Sequence, residues 1–230
     1  MQGSVIQLFD AQSSTFTYFV VDRVSREAIV IDTVAEQVER DLALIGRLDL
    51  KLRYIVETHT HADHVTGAGR LRAQTGALAA APQQCGIAPA DVQLRHGDEL
   101  AFGAAERLAA RHTPGHTSGH MCYLWRGHAF TGDTLLVDGC GRTDFQGGDA
   151  GALYDSVQRE LFTLPDATLV CPAHDYRGNT VSTIGWEKRN NARLAHNDRD
   201  AFIALMARLD LPKPKLIDIA VPANRKLGLA

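Results

Sequence analysis

Three histidines and an aspartate fall within six consecutive residues, His59-Thr60-His61-Ala62-Asp63-His64. Side chains two apart at an extended strand end project to the same side, so His59 and His61 can converge, and the following turn can bring Asp63 and His64 to the same pocket. Imidazoles and a carboxylate in this mixture suit a borderline or hard divalent metal. A solvated polar turn explains one such histidine, but not this density directly after 52–56, which reads as a buried strand. Residues of the same chemistry recur further on. His116 lies in Thr113-Pro114-Gly115-His116-Thr117, Asp133 follows Phe130-Thr131-Gly132, and His174 stands in Cys171-Pro172-Ala173-His174-Asp175-Tyr176. Each alone is weak evidence, because Gly-Asp turns and exposed histidines are common. Together they sit at successive strand ends, and the loops at one rim of a sheet are where rigid scaffolds hold reactive groups.

The elements that must position these residues are legible in outline. β-branched and aromatic runs predict strands over 5–9, 15–21 and 28–31; 52–56 reads as a buried strand, and candidate strands follow over 78–80, 99–102, 105–112, 120–125, 128–131 and 169–171. Val38, Leu42, Ile45 and Leu48, spaced by three and four, predict an amphipathic helix over 35–48. Further helices are expected over 151–161, 184–194 and 199–209, and one is expected to begin near Asp63, where an acidic residue suits a helix N-terminus. Without repeats, low-complexity runs or long linkers, the pattern reads as one α/β domain over residues 1–230.

Composition narrows the function classes. At 230 residues, 45% hydrophobic and 22% charged, the chain can bury a sizeable core. A net charge of −3 gives no electrostatic case for nucleic acid. No apolar run approaches the ~20 residues a bilayer-spanning helix needs, so no membrane partner is expected. The opening Met1-Gln2-Gly3-Ser4-Val5-Ile6 has no secretory pattern. Cys85, Cys122, Cys140 and Cys171 are widely separated, which reads as reduced thiols and points to the cytoplasm. Cys140, between two glycines, is expected to be a small buried filler rather than a nucleophile.

A His-x-His-x-Asp-His run, a loop histidine, a Gly-Asp turn and a final histidine resemble the metallo-β-lactamase superfamily, whose fold is an αββα sandwich with a metal site at one edge of its two sheets. Within it the chain most resembles the persulfide dioxygenases. The motifs that carry this are Thr58-His59-Thr60-His61-Ala62-Asp63-His64, Thr113-Pro114-Gly115-His116-Thr117 and Phe130-Thr131-Gly132-Asp133-Thr134-Leu135-Leu136. Gly139-Cys140-Gly141-Arg142-Thr143-Asp144-Phe145-Gln146, Pro172-Ala173-His174-Asp175-Tyr176, Asn190-Asn191-Ala192-Arg193-Leu194 and Val221-Pro222-Ala223-Asn224 extend the match downstream.

The resemblance implies one Fe(II) per chain, bound by His59, His116 and Asp133. It further implies oxidation of glutathione persulfide by O₂ and water to sulfite and glutathione. Two imidazoles and one carboxylate leave positions open, as non-haem iron and O₂ require. His61, Asp63, His64 and His174 then orient ligands or move protons, or hold a second metal, and Asp32 resembles a supporting position of the fold. Glutathione carries two carboxylates, for which Arg142, Tyr176 and Lys226 resemble pocket residues; Arg142 competes with a role pinning its loop through Asp144, and Arg225 is the alternative to Lys226. The segment from about 195 to 230 is expected to help form that pocket. A rhodanese-type sulfurtransferase is the expected pathway partner and a homodimer the expected assembly.

Two other functions compete. Hydroxyacylglutathione hydrolase, a thioesterase with two metals such as zinc, would use the same His and Asp residues. Against it stand Thr143 after Cys-Gly-Arg and Ala173-His174-Asp175-Tyr176, where that hydrolase typically has Phe and Gly-His-Glu-Tyr. A non-catalytic, metal-stabilised binding module is the second alternative, disfavoured because structural zinc sites are usually closed and cysteine-rich.

Overall fold

The computed structural model describes residues 3–196 and 198–229. The chain divides into two compact units, one of residues 1–94, 99–108 and 213–230, the other of residues 95–98 and 109–212.

The first unit is built on a sheet of order β1-β2-β3-β4-β5-β6. Its strands are β1 (Gly3–Asp10), β2 (Thr15–Asp22), β3 (Glu27–Ile31), β4 (Lys51–Val56), β5 (Leu78–Pro82) and β6 (Val92–Leu94). β1 to β3 form an antiparallel meander, and β3 to β6 run parallel. Parallel neighbours need crossovers, which α1 (Val38–Arg47) and α2 (Ala68–Thr75) supply. Val38 and Leu44 of α1 and Leu71 of α2 are buried among Val30, Ile55 and Ala79 of the sheet. Leu42 and Ile45 are partly buried on the same cluster, but Leu48 lies beyond the helix and is exposed.

β7 (Glu99–Phe102) and the start of β8 (Glu106–His112) count with the first unit, and the rest of β8 with the second. The second sheet has the order β12-β11-β10-β9-β8-β7, with β9 (Met121–Trp125), β10 (His128–Gly132), β11 (Leu169–Pro172) and β12 (Ser182–Thr183). β8, β9 and β10 are antiparallel neighbours, whereas β10 and β11 run parallel. In this unit α3 (Ala150–Ser156), α4 (Ile184–Asn190) and α5 (Arg199–Met206) bury Leu153, Ile184 and Phe202 with Cys122 and Val170 of the sheet. Asp149, Thr183 and Asp198 cap these helices by accepting Ala152, Trp186 and Ala201 amides.

One further expectation differs from the structure, and one helix was not foreseen. No helix starts near Asp63: residues 57–67 form an irregular loop and α2 begins at Ala68, because backbone groups of that loop bond to distant side chains instead of to a helical ladder. A helix unmarked by simple periodicity, α6 (Ile217–Asn224), contains Pro222 and belongs to the first unit.

Candidate metal centre

In the first unit, β3 and β4 are parallel with Ile31 opposite Val56, so their C-terminal ends share one rim. Asp32 and Glu57-Thr58-His59 follow directly. Asp32 is left-handed (φ 53°), a conformation Asp tolerates better than most residues, and its buried carboxylate turns back onto the β4 end. Oδ1 accepts the Thr58 amide at 2.8 Å and Oδ2 accepts the Thr58 hydroxyl at 2.8 Å. That hydroxyl has only one proton, and it goes to Asp32. Its contact with His59 Nδ1 at 2.9 Å is therefore one in which the imidazole donates, which leaves the lone pair on His59 Nε2.

His61 Nε2 meets Asp32 Oδ1 at 3.1 Å and Glu57 Oε2 at 3.5 Å, all three residues being fully or nearly fully buried. Burial alone would depress the His61 pKa, but the two carboxylates outweigh it and hold the group well above its ordinary value. Burial pushes Glu57 up in turn, and the Thr66 hydroxyl donates to its Oε1 at 2.5 Å. His64 Nδ1 lies 3.0 Å from Asp63 Oδ2. All five sequence-derived residues of this unit, Asp32, His59, His61, Asp63 and His64, are thus brought onto one rim. Glu57, Thr58 and Asn224 join them; the charge and hydroxyl adjoining His59 were the signal for the first two.

In the second unit, β10 and β11 are parallel with Gly132 opposite Pro172, which puts Asp133 and His174 at the same end of the sheet. The loop between the antiparallel strands β8 and β9 brings His116 there too. His116 Nε2 is 3.4 Å from Asp133 Oδ2, and His174 Nε2 is 3.7 Å from Asp133 Oδ1. His116 Nδ1 lies 2.7 Å from the Arg142 carbonyl. A carbonyl only accepts, so this imidazole also carries its proton on Nδ1 and its lone pair on Nε2. A Cβ on Gly141 would stand 2.5 Å from the Asp133 carbonyl and 2.8 Å from His116 Nδ1, so only glycine lets the loop lie this close. Fully buried His120, not singled out by the sequence, accepts the Asp133 amide on Nε2 at 3.0 Å and faces the Thr113 and Thr134 hydroxyls through Nδ1.

The donor set fits a metal. Asp133 Oδ1 is buried and, among the described residues, has no hydrogen-bond partner, a cost that a cation removes. Each unit also presents an imidazole whose Nδ1 is tied back and whose Nε2 is ready to ligate, the usual arrangement of metal-binding histidine.

The three residues expected to hold substrate differ in setting. Arg142 is engaged: Nε and Nη2 donate to Asp144 at 2.6 and 2.7 Å, and Nη1 and Nη2 donate to the Pro212 and Leu211 carbonyls at 2.7 and 3.1 Å. The Asp144 carboxyl is held below its ordinary value by that pairing. Arg142 and Asp144 also line a cavity of about 330 Å³ with Ala150, Ile203, Met206 and Leu209. Tyr176 is exposed and stacks on His174 at 6.1 Å, and Lys226 is exposed on the turn after α6. Cys140 is buried in the second unit's core, its carbonyl accepting from Arg193 at 2.7 Å, and burial pushes its thiol up to about 11. That is the filler expected of it, since a thiol is nucleophilic only as thiolate.

The sequence profile of the metallo-β-lactamase superfamily matches residues 12–84 and 86–174, which include every His and Asp residue described on the two rims. The chain belongs to the metallo-β-lactamase superfamily. Among its relatives there, the human protein named persulfide dioxygenase ETHE1, mitochondrial, is 48% identical over 97% of this chain and 88% of its own. The crystal structure of ETHE1 from Myxococcus xanthus superposes with a TM-score of 0.96 at 52% identity, over 98% of this chain and all of that one. A hydroxyacylglutathione hydrolase from Fuscovulum blasticum is more distant, 34% identical over 86% of this chain and 77% of its own. The fold is that of the superfamily, α/β with two sheets and helices.

Proposed function

We propose that this metallo-β-lactamase-fold protein is a glutathione persulfide dioxygenase, acting as one domain with a single Fe(II) held by His59, His116 and Asp133. The observations that support the ligand set are an imidazole in each unit with Nδ1 tied to an acceptor and, in the second unit, a carboxylate whose buried oxygen has no hydrogen-bond partner among the described residues. The reaction rests on the 48% identity to a persulfide dioxygenase across nearly the whole chain, against 34% and 36% to two hydroxyacylglutathione hydrolases over less of it.

Iron(II) bound there supplies the one-electron chemistry that O₂ requires and a place for persulfide and O₂ to meet. The protein's part is to fix the donors. Asp32, through Thr58, aims His59; the Arg142 carbonyl aims His116; His120 fixes the Asp133 backbone. In the overall change the outer sulfur loses four electrons to O₂, water supplies the third oxygen of sulfite, the sulfur–sulfur bond breaks, glutathione keeps one proton, and two protons leave. Asp63 and His64, 3.0 Å apart, and His174 are the groups we assign to receiving them.

Tyr176 and Lys226 are our candidates for contacts to the glutathione carboxylates. Arg142 acts there only if substrate displaces Asp144; its bonds to the 211–212 carbonyls support the loop-pinning role. We further place the protein in the cytoplasm, as a homodimer supplied by a rhodanese-type sulfurtransferase. Its four cysteines are buried free thiols, as a reducing compartment allows. Among the described residues, no helix is long and apolar enough to cross a membrane.

The test is anaerobic purification with Fe(II), then O₂ uptake on adding glutathione persulfide, with glutathione alone as control. Persulfide-dependent uptake, sulfite formation and about one iron per chain are expected from the facial His₂-carboxylate set. About two metals per chain with hydrolysis of S-lactoylglutathione would overturn the reading in favour of a dinuclear thioesterase.

A further inference from the structure

The loop 57–67 carries six of the rim residues above, yet it has no helix or strand of its own to hold it. An irregular buried segment must find partners for its backbone groups elsewhere. Three of them end on one side chain. The Asn224 amide donates to the His61 carbonyl and to the His64 carbonyl, both at 2.9 Å, and its oxygen accepts the Thr66 amide at 2.8 Å. Asn224 is buried and is the last residue of α6, some 160 positions away in the chain.

The segment after it is seated as closely. The Gly69 amide donates to the Leu227 carbonyl at 2.8 Å, and buried Leu227 is left-handed (φ 59°). A Cβ on Gly69 would stand 2.6 Å from Leu229 Cγ and 2.7 Å from the Leu227 carbonyl. Gly228, at φ 74°, lies so near the Thr66 carbonyl that a Cβ there would collide with it. Glycines at 69 and 228 are what this fit demands.

We propose that Asn224 is a positioning residue for the metal loop, its one amide fixing the His61–Thr66 backbone, which leads directly from His59, and so the aim of the His59 imidazole. This rests on His59 being a metal ligand. An amide suits the task because it offers two donors and an acceptor on one rigid plane, matching two carbonyls and one amide of the loop. Asp keeps the acceptor but loses both donors, and Ala loses all three. The effect on metal is transmitted through the loop, as no polar atom of Asn224 is bonded to a ligand side chain.

The experiment compares the full-length protein with Asn224→Ala, Asn224→Asp and, as a control on the same helix, Ile219→Ala at an exposed position. Affinity for Fe(II) and for Co(II) is measured by competition with a chromophoric chelator, together with the visible spectrum of the Co(II) form and the unfolding midpoint of the metal-free protein. Both Asn224 variants are expected to bind about 10–100-fold more weakly, the loss typical of groups that orient ligands, and to shift the Co(II) bands, with Ile219→Ala unchanged. If Asn224→Ala does not fold, Asn224→Asp carries the comparison. Variants that lose unfolding temperature but keep affinity within twofold and an unshifted spectrum would overturn the inference, leaving Asn224 a structural residue. Wild-type protein that binds neither metal, or whose affinity survives His59→Ala, would instead overturn the ligand assignment beneath it.

Discussion

The two units hold their candidate metal-binding residues by different physical means. In the first, the His and Asp residues crowd one short loop, and buried charge supports them: Asp32 and Glu57 converge on His61, and Asp32 reaches His59 through Thr58. In the second, His116, Asp133 and His174 come from three separate strand ends, and neutral groups support them: a carbonyl for His116, and for Asp133 a histidine flanked by two threonines. A buried carboxylate holds its partner strongly but is costly to leave unpaired, whereas neutral bonds are individually modest. The first rim is therefore the more sensitive to removal of one supporting group, and the second relies on topology to bring its residues together.

The largest effect is expected at the proposed ligands themselves. His59→Ala and Asp133→Asn should each lower persulfide-dependent O₂ uptake by more than about 100-fold, beyond the loss from removing a supporting group. A large residual activity in either would remove it from the ligand set. The supporting groups then separate the units. Asp32→Asn should weaken Fe(II) binding about 10–100-fold in a chelator competition, because it disturbs His59 and His61 together. His120→Ala should cost about 1–3 kcal/mol in denaturant unfolding, from the unsatisfied Asp133 amide, with less effect on metal. Equal metal losses from the two would erase the contrast.

Buried acids away from the rims sharpen it further. In the first unit, Asp41 on α1 is fully buried with Arg40 as its ion-pair partner, and burial raises its pKa to about 6 from 3.8. A carboxyl whose folded pKa is raised favours the protonated form. It costs nothing below about pH 4, and its penalty grows through pH 4–6 and is complete above. Asp41→Asn should therefore stabilise the protein by on the order of 2–3 kcal/mol at pH 8 and by almost nothing at pH 3.5, read from unfolding midpoints at the two pH values. In the second unit Glu187, also raised by burial, accepts from Ser182, Asn191 and the Asp138 amide, so Glu187→Gln should destabilise by about 1 kcal/mol. The smallest effect is expected at Cys140: replacement by Ala should cost about 1 kcal/mol and leave O₂ uptake intact, and lost uptake would restore a chemical role for the thiol.

What the amino-acid sequence determined by itself was which residues of metal-binding type stand at strand ends. Most of the residues of metal-binding type follow short strand-like runs and so mark strand ends, because strand propensity and side-chain alternation act over a few neighbours. The helices α1, α3, α4 and α5 were legible for the same reason, while 3-residue β6 and Pro-containing α6 carry too little local periodicity. The start of α2 was misplaced because Asp63 resembles a helix N-terminus in isolation, and only Asn224, far along the chain, explains why that stretch stays a loop. Tertiary structure alone decided which nitrogen of His59 and His116 keeps its lone pair, that His61 lies between two buried carboxylates, and that Arg142 is already bonded to Asp144 and two carbonyls. Those outcomes depend on partners brought close by the fold, and a hydrogen bond takes its direction and strength from geometry and burial that residue spacing does not encode.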